Sequence, residues 1–336
     1  MDKSLPTTDL ARLLQTFFYR RLIQQRNASH QTVCSYRDTF RLLFRFSEQQ
    51  LGKAAVEMQL VDIDASLILA FLDNLEAQRH NCIRSRNTRL AAIRSFMHYA
   101  ALQQPEALPR IQQVLAIPLK RGDRPMVRYL TQAEMQAILK APDNYTWSGQ
   151  RDQVLLATLY NTGARVSEII ALRRIDFESN RGQAVHLHGK GRKERVIPLW
   201  KRTSKLLRSW LTTQLGSEPQ QALFPNRFGK PMTRSGVESR LSKAVTIAVL
   251  ECPSLKDHPV SPHVIRHTTA MHLLQAGVDL SVIALWLGHE SIVTTHLYIE
   301  ADLRMKEKAL AKLQPPDIKF SRYKASDKVL SFLDGL

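Results

Sequence analysis

Residues 184–199 read AVHLHGKGRKERVIPL, and here the hydrophobic period changes from helical to alternating. Two short runs carrying β-branched residues flank Gly189 to Arg192, which predicts a β-hairpin with a glycine-rich, positively charged tip. It is the clearest β element in the chain. The pattern on either side is helical, so this stretch sets the fold class as mainly α with a small β-sheet. Lys190, at the tip, cannot be a core residue, and a mobile loop would let it approach a docked ligand. The plain alternative for Lys190 is a solvated turn lysine.

Downstream of the hairpin, helices are expected over Trp200–Gln214, Thr233–Leu250 and Pro262–Ala276. A further one, capped by Asp279, ends at Gly288, where LWLG supplies the C-terminal stop. Upstream, Thr131 and Glu134 in TQAE form a capping box, and the helical pattern continues through Val154, Leu155, Leu159 and Ile169. The segment PLKRGDRPMVRYL, with Pro118, Gly122 and Pro125 and four basic residues against one acid, reads as an extended basic linker. Before residue 115 nothing alternates. Leu10, Leu13, Leu14, Phe17 and Phe18 predict one amphipathic helix from Asp9 to about Arg26. Ser29 is expected to cap a second, Ser66 to open a third, and a fourth runs from about Arg86 to Ala101. The expected layout is a helical domain over 1–115, a basic linker over 116–130, a second domain over 131–313 and a tail over 314–336. In that tail Pro315 and Pro316 break the pattern, and Val329, Leu330, Phe332 and Leu333 share one face of a segment too short to be stable alone.

The chain has 336 residues, 44% hydrophobic and 23% charged, enough to bury a core; a disordered or fibrous protein is excluded. Lys and Arg number 48 against 30 Asp and Glu, and the resulting +18 points to a polyanionic partner, nucleic acid first. No leader sequence and no run approaching ~18 uncharged apolar residues is seen, so the reading is cytoplasmic, without membrane contact. Cys34, Cys82 and Cys252 lie far apart, without zinc-ligand or disulfide spacing.

The basic side chains gather at turns and helix ends. Arg165, in TGARVSEIIAL, opens a helix, where a cation opposes the macrodipole, so it is expected to face an anion; Glu168 shares its helical face and can hold it. In SPHVIRHTTAMHLL, His263 and Arg266 project from one face at the first turn of a helix, beside backbone N–H groups that favour phosphate. His289 follows the Gly288 turn, and Tyr298 comes nine residues later in LGHESIVTTHLY. Each feature alone has a plain reading: an ion pair, a capped helix, a core tyrosine. Together they suit phosphoryl transfer through a covalent intermediate, with side-chain charge used where other enzymes use a metal. In the first domain Arg84, Arg86, Arg89 and Arg94 crowd one helix and its start, either a solvated face or a face laid against phosphates.

These motifs resemble the tyrosine recombinases, the phage-integrase-like DNA strand-exchange enzymes. TGARVSEIIALRRIDF resembles the first arginine box, HGKGRKERVIPL the hairpin lysine, SPHVIRH the His-x-x-Arg box, and LGHESIVTTHLY the final histidine and nucleophilic tyrosine. In the first domain SHQTVCSYRDTFRLLFRF and SRNTRLAAIRSFMHYA resemble the core-binding helices. The resemblance implies a helical core-binding domain followed by an α+β catalytic domain. It implies that Tyr298 attacks the scissile phosphate, Arg165 and Arg266 hold its oxygens, and Lys190 protonates the leaving oxygen. His263 would take the tyrosine proton and His289 would hydrogen-bond the phosphate, with Glu168 as support; no metal or other cofactor is called for. Arg84, Arg86, Arg89, Arg94, Lys120, Arg121, Arg192 and Lys193 are the candidate DNA contacts. The implied partner is double-stranded DNA carrying specific recombination sites, bound as a dimer per site and a homotetramer on paired sites, with accessory proteins left open. The implied role is integration or excision of a mobile element. A type IB topoisomerase, a Xer-like dimer-resolving recombinase and a catalytically idle DNA-binding protein are the alternatives.

Overall fold

The computed structural model describes residues 8–122, 128–178, 183–189, 194–213 and 218–289, together with 295 and 298. The expectations for Lys190, Arg192, Lys193 and the tail lie outside these residues. The chain divides into two compact units, Met1–Arg124 and Pro125–Leu336. Among the described residues no helix is long and apolar enough to cross a membrane.

The first unit is helical throughout its described part. Helix α1, Asp9–Thr16, continues without a break into a wider, π-type turn over Phe17–Gln25. A uniform α-helix was expected here; the widening brings Phe17 and Leu22, five residues apart, into the core together. Helix α2, His30–Leu51, is capped by Ser29 as its sequence indicates. Helix α3, Ala65–Ala77, starts earlier than its serine suggested, because the Asp64 carboxylate, not Ser66, accepts from Leu67 N–H at 2.8 Å. Helices α4, Ile83–Gln103, and α5, Leu108–Ala116, complete the bundle. Phe17 is fully buried at its centre, with Phe18, Tyr36, Phe40, Phe96 and Tyr99 packed around it at ring separations of 5.4–6.5 Å.

The second unit begins with α6, Gln132–Lys140, on the Thr131/Glu134 capping box, followed by α7, Trp147–Thr162, and the short α8, Val166–Ala171. Strand β1, Phe177–Glu178, pairs antiparallel with β2, Ala184–His188, and β2 with β3, Glu194–Pro198. The hairpin therefore has a third, very short strand that the alternation did not mark. Its register sets Val185 opposite Ile197 on the buried face and Leu187 opposite Arg195. Helices α9, Lys201–Thr213, α10, Arg234–Ala248, α11, Pro262–Gln275, and α12, Leu280–Leu287, follow. The buried Trp210 indole donates to the Leu223 carbonyl at 2.9 Å and anchors α9 on this core.

The turn from α7 into α8 is fixed by Gly163, in the left-handed region at φ +59°. A Cβ there would lie 2.6 Å from Leu287 Cδ2, so α12 packs against bare backbone. Gly163→Ala should therefore cost about 1–2 kcal/mol for the left-handed backbone alone, with the contact strain added. The check is a lowered urea midpoint for the second unit and an unchanged one for the first.

Candidate active site

Arg165 is the N-cap residue of α8, and the Glu168 carboxylate reaches back to it twice. Glu168 Oε2 accepts from the Arg165 backbone N–H at 2.8 Å, and Oε1 from its Nη1 at 3.0 Å. Arg195, on β3, donates Nη1 to Oε1 at 3.0 Å and Nη2 to Oε2 at 2.8 Å, a bidentate pair, while its Nε donates to the Trp286 carbonyl at 2.9 Å. Glu168 is thus a buried anion shared by two guanidinium groups, one from a helix start and one from the sheet. Burial alone would raise its pKa; the Arg195 hydrogen bonds, the Arg165 N–H and the two positive charges outweigh that and hold it below the ordinary carboxylate value.

Arg266, on the second turn of α11, is buried, and among the described residues no carboxylate pairs with it. Its Nη1 donates to the Gly163 carbonyl at 2.6 Å and its Nη2 to the Leu287 carbonyl at 2.7 Å. Two carbonyls at helix ends, where the macrodipole is negative, aim this guanidinium without neutralising it. Arg165 Nη2 reaches the Gly288 carbonyl at 3.3 Å, so both arginines converge on the α12 C-terminus. Burial, then the charge of Arg165, lowers the Arg266 pKa to about 10, still well above neutrality. Three guanidinium groups thus share one carboxylate, and the net positive charge left beside the partly exposed Arg165 favours an anion.

Around that pair stand three histidines and a tyrosine. The Tyr298 side chain is buried among Ala270, Met271, Leu274, Ile283 and Leu287, with its hydroxyl 3.0 Å from His267 Nδ1. The His289 ring stacks on Tyr298 at 6.3 Å and 15°, and its Nδ1 lies 2.9 Å from Thr295 Oγ1. Burial, then Arg266 and Arg165, drives the His289 pKa to about 4, so at neutral pH it is an uncharged imidazole. Burial raises the Tyr298 pKa, and Arg266 opposes that rise. The His263 ring is open to solvent but crowded on one side. Desolvation there, then Arg234, Arg266 and Arg165, lowers its pKa.

Of the residues expected in a catalytic site, Arg165, Glu168, Arg266, His289 and Tyr298 are brought together, and His263 lies at the start of the same helix as Arg266. Two matches cover this chain: the phage integrase family over residues 128–304 and the phage integrase N-terminal SAM-like domain over 16–104. The chain belongs to the phage integrase family of tyrosine recombinases. It is 50% identical to the integrase/recombinase y4rC of Sinorhizobium fredii, over 97% of this chain and 98% of that one. It is 32% identical to the tyrosine recombinase XerC of Chlamydia trachomatis, over 72% and 75% of the two chains. Among solved structures, the Tn1549 transposon integrase in complex with a circular intermediate DNA matches with a TM-score of 0.67 at 17% identity, over 91% of this chain and all of that one. At that identity the likeness speaks for the fold.

In this recombinase the basic residues of α4 are not equivalent. Arg84 is exposed, but Arg86 is only 6% exposed, its Nε 3.4 Å from Glu76 Oε2; the expectation that Arg86 meets phosphate is corrected by that internal partner. Glu76 also takes Lys120 Nζ at 3.0 Å, and Asn87 holds the Lys120 backbone from both sides, so this lysine ties down the start of the linker. Arg89 donates to the Ser35 carbonyl and to Thr39 Oγ1, both at 3.0 Å, joining α4 to α2. Arg94 lines an open cleft with Arg21, Arg26 and His98, and Arg121 is exposed.

Two site residues escaped the sequence reading. Arg195 was one of several basic residues around the hairpin tip; its place on β3 opposite Leu187 was the available signal. His267 adjoins Arg266 and follows His263 by one helical turn, which was visible but was not weighed.

Glu168→Gln should leave two guanidinium groups sharing a neutral partner and destabilise the second unit by about 3–5 kcal/mol. Because the folded-state pKa is depressed, the carboxylate's contribution is present above the unfolded value and lost as pH falls through the folded one. Thermal melts of wild type and Glu168→Gln, well separated at neutral pH, should draw together as pH falls below the ordinary Glu value of about 4.3.

Proposed function

We propose that this chain is a site-specific tyrosine recombinase that cleaves and rejoins DNA strands through a 3′-phosphotyrosyl intermediate on Tyr298. The observation that carries the reading is the tyrosine hydroxyl within the field of Arg266, a buried guanidinium that backbone carbonyls aim and leave charged, with Arg165 converging on the same end of α12. A scissile phosphate placed between Arg165 and Arg266 would meet two planar guanidinium groups matched to its non-bridging oxygens. Their charge would grow in value as negative charge builds on those oxygens in the transition state. His289, neutral and wedged against Tyr298, and His263 at the open side would hydrogen-bond the same phosphate. Lys190, which the sequence places between β2 and β3, would protonate the leaving 5′-oxygen. The covalent link conserves the phosphodiester bond energy, so a second strand's 5′-hydroxyl can reverse the step without ATP.

The partner in this reading is duplex DNA with paired recombination sites, bound as a dimer per site and a tetramer at synapsis, so that one strand pair is cut at a time. Integration or excision of a mobile element is the favoured role; the likeness to y4rC, named an integrase/recombinase, over nearly the whole chain supports the integrase part of it. The XerC relative keeps dimer resolution as a second reading.

On a nicked suicide substrate, wild type should accumulate a covalent protein–DNA adduct on a denaturing gel, and Tyr298→Phe should bind the DNA but form none. An adduct with the phenylalanine variant would move the nucleophile elsewhere.

Arginine and lysine charge replaces a divalent ion in this scheme, so adduct formation should proceed undiminished in excess EDTA. Loss on chelation, restored by magnesium, would refute it.

A further inference from the structure

The family resemblance assigns the tyrosine proton to His263, but His263 is the solvent-exposed member of the site. The side chain on the Tyr298 hydroxyl is His267, one turn further into α11, with Nδ1 at 3.0 Å and its ring edge-on to the phenol at 5.7 Å. We propose that His267 is a catalytic residue of this recombinase and that its Nδ1 accepts the Tyr298 proton during attack. The proposal rests on the reading of Tyr298 as nucleophile.

The helix supplies the placement. His267 is half-buried and follows the buried Arg266, so the residue that aims the phosphate clamp and the residue that meets the nucleophile are set by one rigid backbone step. The titratable groups facing His267 are His263 and Arg266 on its own helix, His289 beyond α12, and Tyr298 itself. Burial, then His263 and Arg266, lowers its pKa, so the imidazole is neutral at physiological pH and can receive a proton. With the ring proton on Nε2, Nδ1 accepts from the phenol. Ground-state transfer is disfavoured, because burial also raises the phenol. Transfer becomes favourable as the bond to phosphorus forms, since a phenolic oxygen bonded to phosphorus no longer holds its proton, and the phosphate anion beside Arg266 offsets the charge created on the ring. In that step the phenolic O–H breaks and its proton passes to Nδ1. The O–P bond forms, the P–O5′ bond breaks, and the 5′-oxygen takes a proton from Lys190. In the reverse reaction the imidazolium returns its proton to the tyrosine.

The test follows adduct formation in single turnover on the suicide substrate, against pH, for wild type, His267→Asn, His267→Ala, His263→Ala and Tyr298→Phe. Asparagine can keep an acceptor atom near the position of Nδ1 but cannot take the proton. The expected result is that both His267 variants bind DNA and melt like wild type but form adduct at least ~10²-fold more slowly. Wild type should show an inflection in the histidine range that both His267 variants lose, and imidazole should partly restore His267→Ala. A substrate with sulfur at the 5′-bridging position needs no proton on its leaving group, so it should leave the His267→Asn defect in place. Four results overturn the proposal: His267→Asn reacting within about threefold of wild type with the same pH profile; the defect appearing in His263→Ala instead; rescue by the sulfur leaving group; or, should both His267 variants misfold, a wild-type rate with no inflection in the histidine range. An adduct with Tyr298→Phe is a different failure, since it removes the nucleophile assignment itself.

Discussion

Glu168 is the charge on which the site depends. It is one buried carboxylate, and it accepts from the Arg165 backbone, the Arg165 side chain and both terminal nitrogens of Arg195. Without it, bringing Arg165, Arg195 and Arg266 to one place would set like charges against each other in a poorly solvated region. With it, Arg165 and Arg195 share one carboxylate, and a net positive charge remains on the three guanidinium groups. The same carboxylate joins three elements, since Arg195 comes from β3 and its Nε holds the end of α12. The sheet is small, but its job in this architecture is to deliver that guanidinium.

Backbone carbonyls do for Arg266 what Glu168 does for Arg165 and Arg195. The carbonyls of Gly163 and Leu287 orient its guanidinium and leave its charge intact. Both belong to helix ends that close on a left-handed glycine, Gly163 after α7 and Gly288 after α12. Chain termination and anion binding are therefore one feature: the turn that ends a helix points its free carbonyls at an arginine. Gly288 serves the packing as well, since a Cβ there would lie 3.0 Å from Arg195 Nη1.

Much of this was legible in the sequence because it is local. Caps at Ser29, Thr131 and Asp279, the glycine stop after α12, and the change of period at the hairpin are encoded within a few residues each. The arginines of α4 show where local reading fails. Arg84 and Arg86 look alike in the sequence, but one is exposed and the other faces Glu76, ten residues earlier on α3. Charge spacing along a helix gives a face, and it cannot say whether an acid from another helix has already filled it.

By itself, then, the sequence determined the class of fold, the order of its elements and the chemical types in the site, because helix caps, hydrophobic periods and the four motif boxes are short-range patterns. Tertiary structure alone decided which of those residues touch. Glu168 reaches Arg195 across 27 residues, Arg266 reaches Gly163 across 103, and the Tyr298 hydroxyl meets His267, not His263. Both histidines lie on the same helix a turn apart, and no local rule separates them. What separates them is the packing of α12 and of Tyr298 against α11, which sets one ring beside the phenol and leaves the other at the exposed start of the helix.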